Sequence, residues 1–320
     1  MRTATMTTTT ELDDFEGLTH RYERELLAHC YRMSGSFHEA EDLVQETFLR
    51  AWKASAQFQG RSSVRTWLYR IATNVCLTNL EGRPRRPLPA GLGTPDQLAG
   101  DALEADPEIP WLEPVPDAAV VVAERDSIRL AFVAALQHLP ARQRATLIMC
   151  EVLKMPAAEA ADTLGTSVAA VNSALQRARA TLAALPEEQR PASVDADQSE
   201  LLAKYVDAFQ RYDMEQLVTL LHDDALMTMP PYSFWVRGAG DIIRWMQEPS
   251  PSLCRDSIMV PAGQVNGSPA WAQYKPDPAG GHQPWALQVN EVSGGRISRM
   301  TFFLETERIF PAFGLPPHLG

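Results

Sequence analysis

The stretch at residues 58–74 reads F-Q-G-R-S-S-V-R-T-W-L-Y-R-I-A-T-N and interleaves aromatic rings with Arg61, Arg65 and Arg70 beside a glycine-containing loop. Rings stack on unpaired bases while guanidinium groups follow phosphates, and such stacking contributes about 1–3 kcal/mol per base. The pattern therefore suits single-stranded nucleic acid. For Trp67 and Ile71 the favoured reading is helix core instead.

Residues 158–179 carry a second constellation. Closely set alanines, Gly165 at a turn, and Thr166 or Ser167 as a cap have helix-turn-helix grammar. Val171, Leu175 and Leu182 are assigned to the core, which leaves Asn172, Ser173, Gln176, Arg177 and Arg179 for phosphates and base edges in a major groove. An ordinary alanine-rich hairpin with a solvated basic face is the competing reading. A third constellation, Asp42, Gln45 and Glu46, shares one helix face opposite apolar residues, and it is either solvated or docks a partner helix.

The elements that must hold these residues are legible from periodicity. Leu12, Phe15, Leu18, Tyr22 and Leu26 predict a first amphipathic helix interrupted by Gly35. Ser36 and Glu39 form a capping-box pair opening a helix to about Lys53, and a third helix starts near Ser62 or Ser63 and fades at Glu81 and Gly82. Seven prolines in residues 87–119 predict a linker. Helical pattern then resumes, broken at Pro140, Pro156 and Gly165. A second polar stretch, residues 186–197, precedes a unit that opens with Leu201, Leu202, Tyr205, Val206 and Phe209. That unit ends in strands at residues 285–292 and 296–303 around Gly294-Gly295, a two-residue hairpin signal.

Composition narrows the class. At 320 residues the chain exceeds one usual core, and no apolar run approaches a membrane span. The first residues lack a secretory pattern, so a cytoplasmic place without membrane attachment is expected. Cys30, Cys76, Cys150 and Cys254 have no paired spacing, which predicts reduced thiols, no metal and no cofactor. A net charge of −11 is unusual for a nucleic-acid binder, but charge is partitioned. Arg61, Arg65, Arg70, Arg83, Arg85 and Arg86 face only Glu81 in residues 61–86. No Lys or Arg occurs in residues 87–119, where Asp96, Asp101, Glu104, Asp106, Glu108, Glu113 and Asp117 accumulate.

Together these segments resemble the extracytoplasmic-function branch of the sigma-70 family. A-E-D-L-V-Q-E-T-F-L-R-A-W and residues 58–74 resemble sigma region 2, and L-P-A-R-Q-R-A-T-L-I-M-C-E-V-L with residues 157–182 resembles region 4. The resemblance implies that Asp42, Gln45 and Glu46 dock the coiled-coil clamp of the largest subunit of core RNA polymerase. It implies a −10 surface of Phe58, Gln59, Arg61, Ser62, Ser63, Arg65, Trp67, Arg70 and Asn74, with the 59–63 loop and Asn74 engaging a flipped base. It also implies a −35 surface of Ser167, Asn172, Ser173, Gln176, Arg177 and Arg179, and an acidic linker threading the polymerase channel. Many family members carry Lys or Arg where this chain has Asn172 and Ala174. No anti-sigma partner is indicated by the sequence.

Residues 198–303 resemble the SnoaL-like domains of polyketide cyclases and their non-catalytic relatives, through M-P-P-Y-S-F-W-V-R-G, A-W-A-Q-Y, the final hairpin and F-G-L-P. The expected fold is thus two all-α sigma domains, a region 2 bundle and a region 4 helix-turn-helix, followed by an α+β cone. The expected boundaries are 1–11 tail, 12–86 region 2, 87–119 linker, 120–185 region 4, 186–197 linker and 198–320 cone. The cone is expected to regulate, with Trp235, Trp245 and Tyr274 lining a pocket for a small-molecule ligand or regulator. The alternative is acid/base catalysis by Asp207, Asp223 or Glu291 near those aromatics or His282.

Overall fold

The computed structural model describes residues 15–90, 92, 94–95, 108–120, 125–191, 198–247 and 254–320, so the 1–11 tail and Asp96, Asp101, Glu104 and Asp106 lie outside the described residues. The chain divides into two compact units, one of Met1–Arg86 with Ala118–Leu185, the other of Pro87–Asp117 with Pro186–Gly320.

The first unit is helical. Its leading bundle comprises α1 (Phe15–Ser34), α2 (Phe37–Ala54) and α3 (Val64–Asn79). Gly35 ends α1 at φ +74°, its N–H donating to the Tyr31 carbonyl at 2.8 Å, a left-handed conformation that costs glycine little. Ser36 caps α2 as expected, its Oγ accepting from the Glu39 N–H at 3.1 Å. The Glu39 carboxylate serves a different end from the expected box, accepting from Arg83 and Arg86 at 2.7 Å each and so tying the chain beyond α3 back to α2. Leu26, Cys30, Tyr31, Leu43, Val44, Leu68, Ala72 and Cys76 fill the bundle.

Pro140 and Pro156 stand at the N-caps of α5 (Ala141–Leu147) and α6 (Ala157–Leu164), where a missing N–H costs nothing. The short α4 (Leu130–Leu136) precedes them, α5 widens into a π turn at Ile148–Val152, and α7 (Val168–Ala183) closes the unit. Buried Arg144 of α5 donates to the Met33 carbonyl of α1, to Gln137 Oε1 at 2.7 Å and to the Leu139 carbonyl at 3.2 Å. Arg32 of α1 reciprocates, donating to the carbonyl and Oγ of Ser127 at 3.1 and 2.8 Å.

The second unit is α+β. Its sheet runs β2-β1-β6-β5-β4-β3, formed by β1 (Leu221–Thr228), β2 (Trp235–Arg237), β3 (Ile258–Val265), β4 (Ser268–Pro276), β5 (His282–Ser293) and β6 (Arg296–Phe303). The pair β1 and β6 is parallel and the other pairs are antiparallel. Gly294 and Gly295 both take positive φ, +59° and +73°, as a type I′ hairpin requires. Helices α8 (Ser199–Gln210), α9 (Met214–Leu220) and α10 (Ala239–Gln247) bring Tyr205, Phe209, Leu217 and Trp245 onto one sheet face, against Met227, Met259, Met300 and Phe302. The short α11 (Thr306–Ala312) follows β6.

Much of the 87–119 segment, expected to be a linker, is packed within this unit. Leu88, Ala90, Trp111, Leu112 and Val115 are buried. Val115 and Asn266 exchange hydrogen bonds, Val115 N–H to Asn266 Oδ1 at 2.8 Å and Asn266 N–H to the Val115 carbonyl at 3.0 Å. Glu113 pairs with Arg308 of α11 at 2.8 Å. Prolines keep the segment out of helices, and apolar side chains between them give it something to bury.

His29 lies buried in the first bundle, within hydrogen-bond distance of Thr73 Oγ1 at 3.0 Å and edge-on to Tyr69. Burial, and secondarily the Arg32 charge, push its pKa down from 6.5 to about 3. The unfolded chain takes up this proton below its ordinary value while the folded bundle refuses it, so stability present above 6.5 declines as pH falls toward 3. Lowering the pH from 7 to 5.5 should cost about 1.2 kcal/mol through this group. Urea titrations of the wild type and His29→Gln check it, the variant showing a correspondingly shallower pH dependence.

Candidate nucleic-acid interface

The face of α2 carrying Asp42 and Gln45 is exposed, and Glu46 beside them pairs with Arg50 one turn on at 2.6 Å. The same face continues into Leu49 and Trp52, 49% and 51% exposed. The apolar periodicity of residues 40–52 groups Trp52 with Ala40, Leu43, Val44 and Phe48, and the structure instead leaves it exposed. The spacing of Leu49 and Trp52 from Asp42 and Gln45, seven residues in each case, is the signal that places them on the polar stripe. Phe15 of α1 meets Trp52 edge-on at 5.9 Å between centroids and holds the indole in place. The surface is thus mixed, with carboxylates at one end and uncovered apolar side chains at the other, suited to a partner helix rather than to a phosphate backbone.

Residues 58–74 build a different surface. Gly60 turns the loop at φ +64°, and Ser63 starts α3 by accepting from the Thr66 N–H at 3.1 Å. Phe58 packs on Trp67, ring centroids 4.9 Å apart, so Trp67 is half-buried as a supported ring. Arg70 and Asn74 follow it on the exposed side of α3, and Gln59, Arg61 and Ser62 are exposed in the loop. Arg65 points elsewhere. Its guanidinium pairs with Glu25 and lies 4.9 Å over the Tyr69 ring, while the Tyr69 hydroxyl donates to Glu25 at 3.0 Å. Burial, reinforced by Glu25, holds the Tyr69 phenol above its ordinary range. Arg61 and Arg70 have no ion-pair partner among the described residues, which leaves two guanidinium groups beside a ring platform.

The helix-turn-helix forms as its residues require. Gly165 ends α6 in the left-handed region (φ +60°, ψ +44°), Thr166 N–H reaches the Ala161 carbonyl at 2.9 Å, and Ser167 Oγ accepts from the Ala170 N–H at 3.2 Å to open α7. Val171 and Ala178 carry the buried face, with Leu175 and Leu182 half-buried. Asn172, Ser173, Gln176 and Arg177 are exposed together. Arg179 is also exposed but is held by Glu151 of the π turn, with its Nε 3.1 Å from the carboxylate. An exposed helix face of short polar side chains preceded by a tight turn fits a major groove.

The structure does not bring Trp235, Trp245 and Tyr274 together. Register places Trp235 and Thr228 opposite one another on the sheet face away from α8 to α10, where Trp235 packs with Leu226 and Ala90. Trp245 lies within the core on the other face, against Phe234 at 5.1 Å. Tyr274 packs edge-on to Phe310 of α11 and donates to the Pro316 carbonyl at 2.8 Å. Trp235 and Tyr274 share one sheet face but stand on β2 and β4 with three strands between them, and Trp245 of α10 lies across the sheet from Trp235. The candidate carboxylates are separated likewise, each with a cation: Asp207 with Arg211 at 2.6 Å, Asp223 with Arg296 at 3.1 Å, and buried Glu291 with Arg299 at 3.4 Å. His282 lies 3.2 Å from the Asp256 carbonyl.

Comparison with known proteins matches residues 18–86 to the Sigma-70 region 2 family and residues 129–182 to the Sigma-70 region 4 family. The ECF RNA polymerase sigma factor SigG of Mycobacterium tuberculosis is 48% identical over 321 residues, covering 96% of this chain and 85% of the relative. SigJ of the same species, also an ECF RNA polymerase sigma factor, is 28% identical over 247 residues, 74% of this chain and 72% of that protein. The crystal structure of Mycobacterium tuberculosis SigJ superposes with a TM-score of 0.64 at 22% identity, covering 94% of this chain and 99% of that one, which shows a shared fold.

The different engagement of the two arginines of α7 separates their expected contributions. Arg177→Ala should lower the salt dependence of binding to duplex DNA by about one unit of log–log slope, as for one lost phosphate contact. Arg179→Ala should change it less, because Glu151 already holds that guanidinium. Binding isotherms at several salt concentrations check both.

Proposed function

The chain belongs to the extracytoplasmic-function family of RNA polymerase sigma factors, and from this membership we propose how its surfaces divide the work. It is a transcription initiation factor that binds core RNA polymerase and promoter DNA, not an enzyme, and it carries a SnoaL-like C-terminal domain. Its place of action is the cytoplasm, where sigma factors meet core polymerase. Among the described residues no helix is long and apolar enough to cross a membrane.

Core polymerase docks on α2, through Asp42, Gln45 and Glu46 with Leu49 and Trp52. The mixed character of that face supports this: two large apolar side chains left about half exposed beside carboxylates suit burial against a partner. The −10 element meets the ring platform of Phe58 and Trp67, with Arg61 and Arg70 toward phosphates and Gln59, Ser62, Ser63 and Asn74 toward an extruded base. Arg65 positions α3 through Glu25. The −35 element meets Ser167, Asn172, Ser173, Gln176 and Arg177, with Arg179 at the margin.

The SnoaL-like domain regulates the two sigma regions. The observation that supports this is the burial of Trp111, Leu112 and Val115, which join the regions in sequence, within the unit that contains the domain.

Charge reversal at Asp42 and Glu46 together should weaken capture of core polymerase at least tenfold with helicity unchanged by circular dichroism; undiminished co-purification would overturn the docking assignment. Truncation after Pro186 should leave core binding intact and change output from a cognate promoter. Wild-type output from the truncated chain would sink the regulatory role.

A further inference from the structure

The sheet face turned away from α8 to α10 is occupied by two pieces of the chain. Residues 87–90 follow directly on region 2, and Leu88 and Ala90 are buried, with Ala90 packed on Leu226 and Trp235. Residues 186–189 follow directly on region 4. Here the Glu188 carboxylate pairs with Arg237 at 2.8 Å, and its backbone carbonyl accepts from Arg299 at 2.9 Å. Leu226 stands opposite both Arg237 and Arg299, and Arg299 stands opposite Glu291, so these groups share one face. The two pieces also touch, Gln189 Nε2 donating to the Ala90 carbonyl at 3.5 Å.

We propose that this face is a clasp for the two segments that leave the sigma regions, and that at least one of them must unclasp before regions 2 and 4 can hold their promoter elements together. The proposal rests on the sigma reading above and deepens its regulatory part.

Chain length supplies the constraint. Arg86 lies four residues from Ala90, Leu185 lies four from Gln189, and Ala90 and Gln189 are in contact. At no more than about 3.6 Å per residue, the exits of the two regions stand within about 40 Å of one another while both segments are docked. Elements centred at −10 and −35 are separated by about 85 Å of duplex at 3.4 Å per base pair, so docked segments leave only the reach of the two regions themselves to bridge the difference. The connecting segment cannot extend while its ends are held, and its far end is held as well, by Val115 with Asn266 and by Asp117 Oδ1, which accepts from the Gly267 N–H at 2.9 Å.

Chemistry makes the clasp selective and reversible. Arg237 and buried Arg299 are preorganised cations on a face that also holds Leu226, Trp235 and Glu291, and they take a carboxylate and a carbonyl from an acidic segment. Release leaves Arg299 its Glu291 partner and leaves Arg237 to water, so the docked state is favoured without being permanent.

Hydrogen exchange read by mass spectrometry tests this on the full chain, free, with core polymerase, and with core polymerase plus promoter DNA. The free chain holds local hydrogen bonds in both segments, Leu92 N–H to the Pro89 carbonyl at 2.9 Å and Gln189 N–H to the Pro186 carbonyl at 3.0 Å. In the promoter complex, peptides spanning 87–92 or 186–190 should exchange about tenfold faster than in the free chain. Glu188→Ala should accelerate exchange of 186–190 about tenfold in the free chain and speed promoter-complex formation, since a charge-assisted contact is lost. Arg308→Ala, which removes the ion pair to Glu113, provides a second variant acting on the far end of the connecting segment. Full retention of free-chain protection in both segments within the promoter complex would overturn the clasp. Retained protection combined with an altered output from the truncated chain would remove the clasp alone, whereas faster exchange combined with unaltered truncated output would remove the regulatory reading and keep the clasp.

Discussion

A buried guanidinium decides how the helical unit is put together. Removing a charge from water costs several kcal/mol, and hydrogen bonds must offset most of that. Arg144 meets this demand with carbonyls and an amide at the points where helices end: the Met33 carbonyl near the end of α1, the Gln137 side chain after α4 and the Leu139 carbonyl before Pro140. Burial still pushes its pKa down to about 10. Helix ends have carbonyls without helical partners, so one side chain can satisfy two of them, at Met33 and Leu139, while also bonding the Gln137 amide. The arrangement brings region 4 helices against region 2 helices, and the exposed faces of α2, α3 and α7 are those this packing leaves uncovered.

Ion pairing then selects which cations remain available. Sequence places Arg61, Arg65 and Arg70 at comparable spacing, and Arg177 and Arg179 two residues apart. Tertiary structure divides each set. Glu25 reaches Arg65 from α1 and Glu151 reaches Arg179 from the π turn, partners 40 and 28 residues away. Exposed pairs of this sort contribute at most about 1 kcal/mol. Their effect on function is larger than their effect on stability, because each fixes where a guanidinium points.

The second unit shows that an acidic, proline-rich connecting segment can be packed rather than exposed. Proline excludes helix and interrupts sheet pairing, but it does not exclude burial. Trp111, Leu112 and Val115 alternate with Glu113 and Pro114, so the segment offers apolar side chains and one carboxylate, and Arg308 receives that carboxylate. Neither the aromatic wall expected of the cone nor a catalytic carboxylate could be read from residue types, since Trp235 and Trp245 differ by which side of the sheet they occupy and Glu291 by its pairing with Arg299.

Local chemistry was determined by sequence alone. Ser36, Ser63 and Ser167 cap helices because their hydroxyls reach free N–H groups three residues on, Gly35 and Gly165 end helices because only glycine tolerates left-handed backbone cheaply, and Gly294-Gly295 turns the last hairpin for the same reason. Those signals act within a few residues, and with the two motif segments they were sufficient for the family, the helical regions and the α+β cone. Which arginines have no ion-pair partner among the described residues, that Leu49 and Trp52 lie uncovered on the polar face of α2, and that residues 87–90 and 186–189 meet on one sheet face were decided by tertiary structure. Each depends on a partner tens to more than a hundred residues distant, and periodicity along the chain contains no term for such a partner.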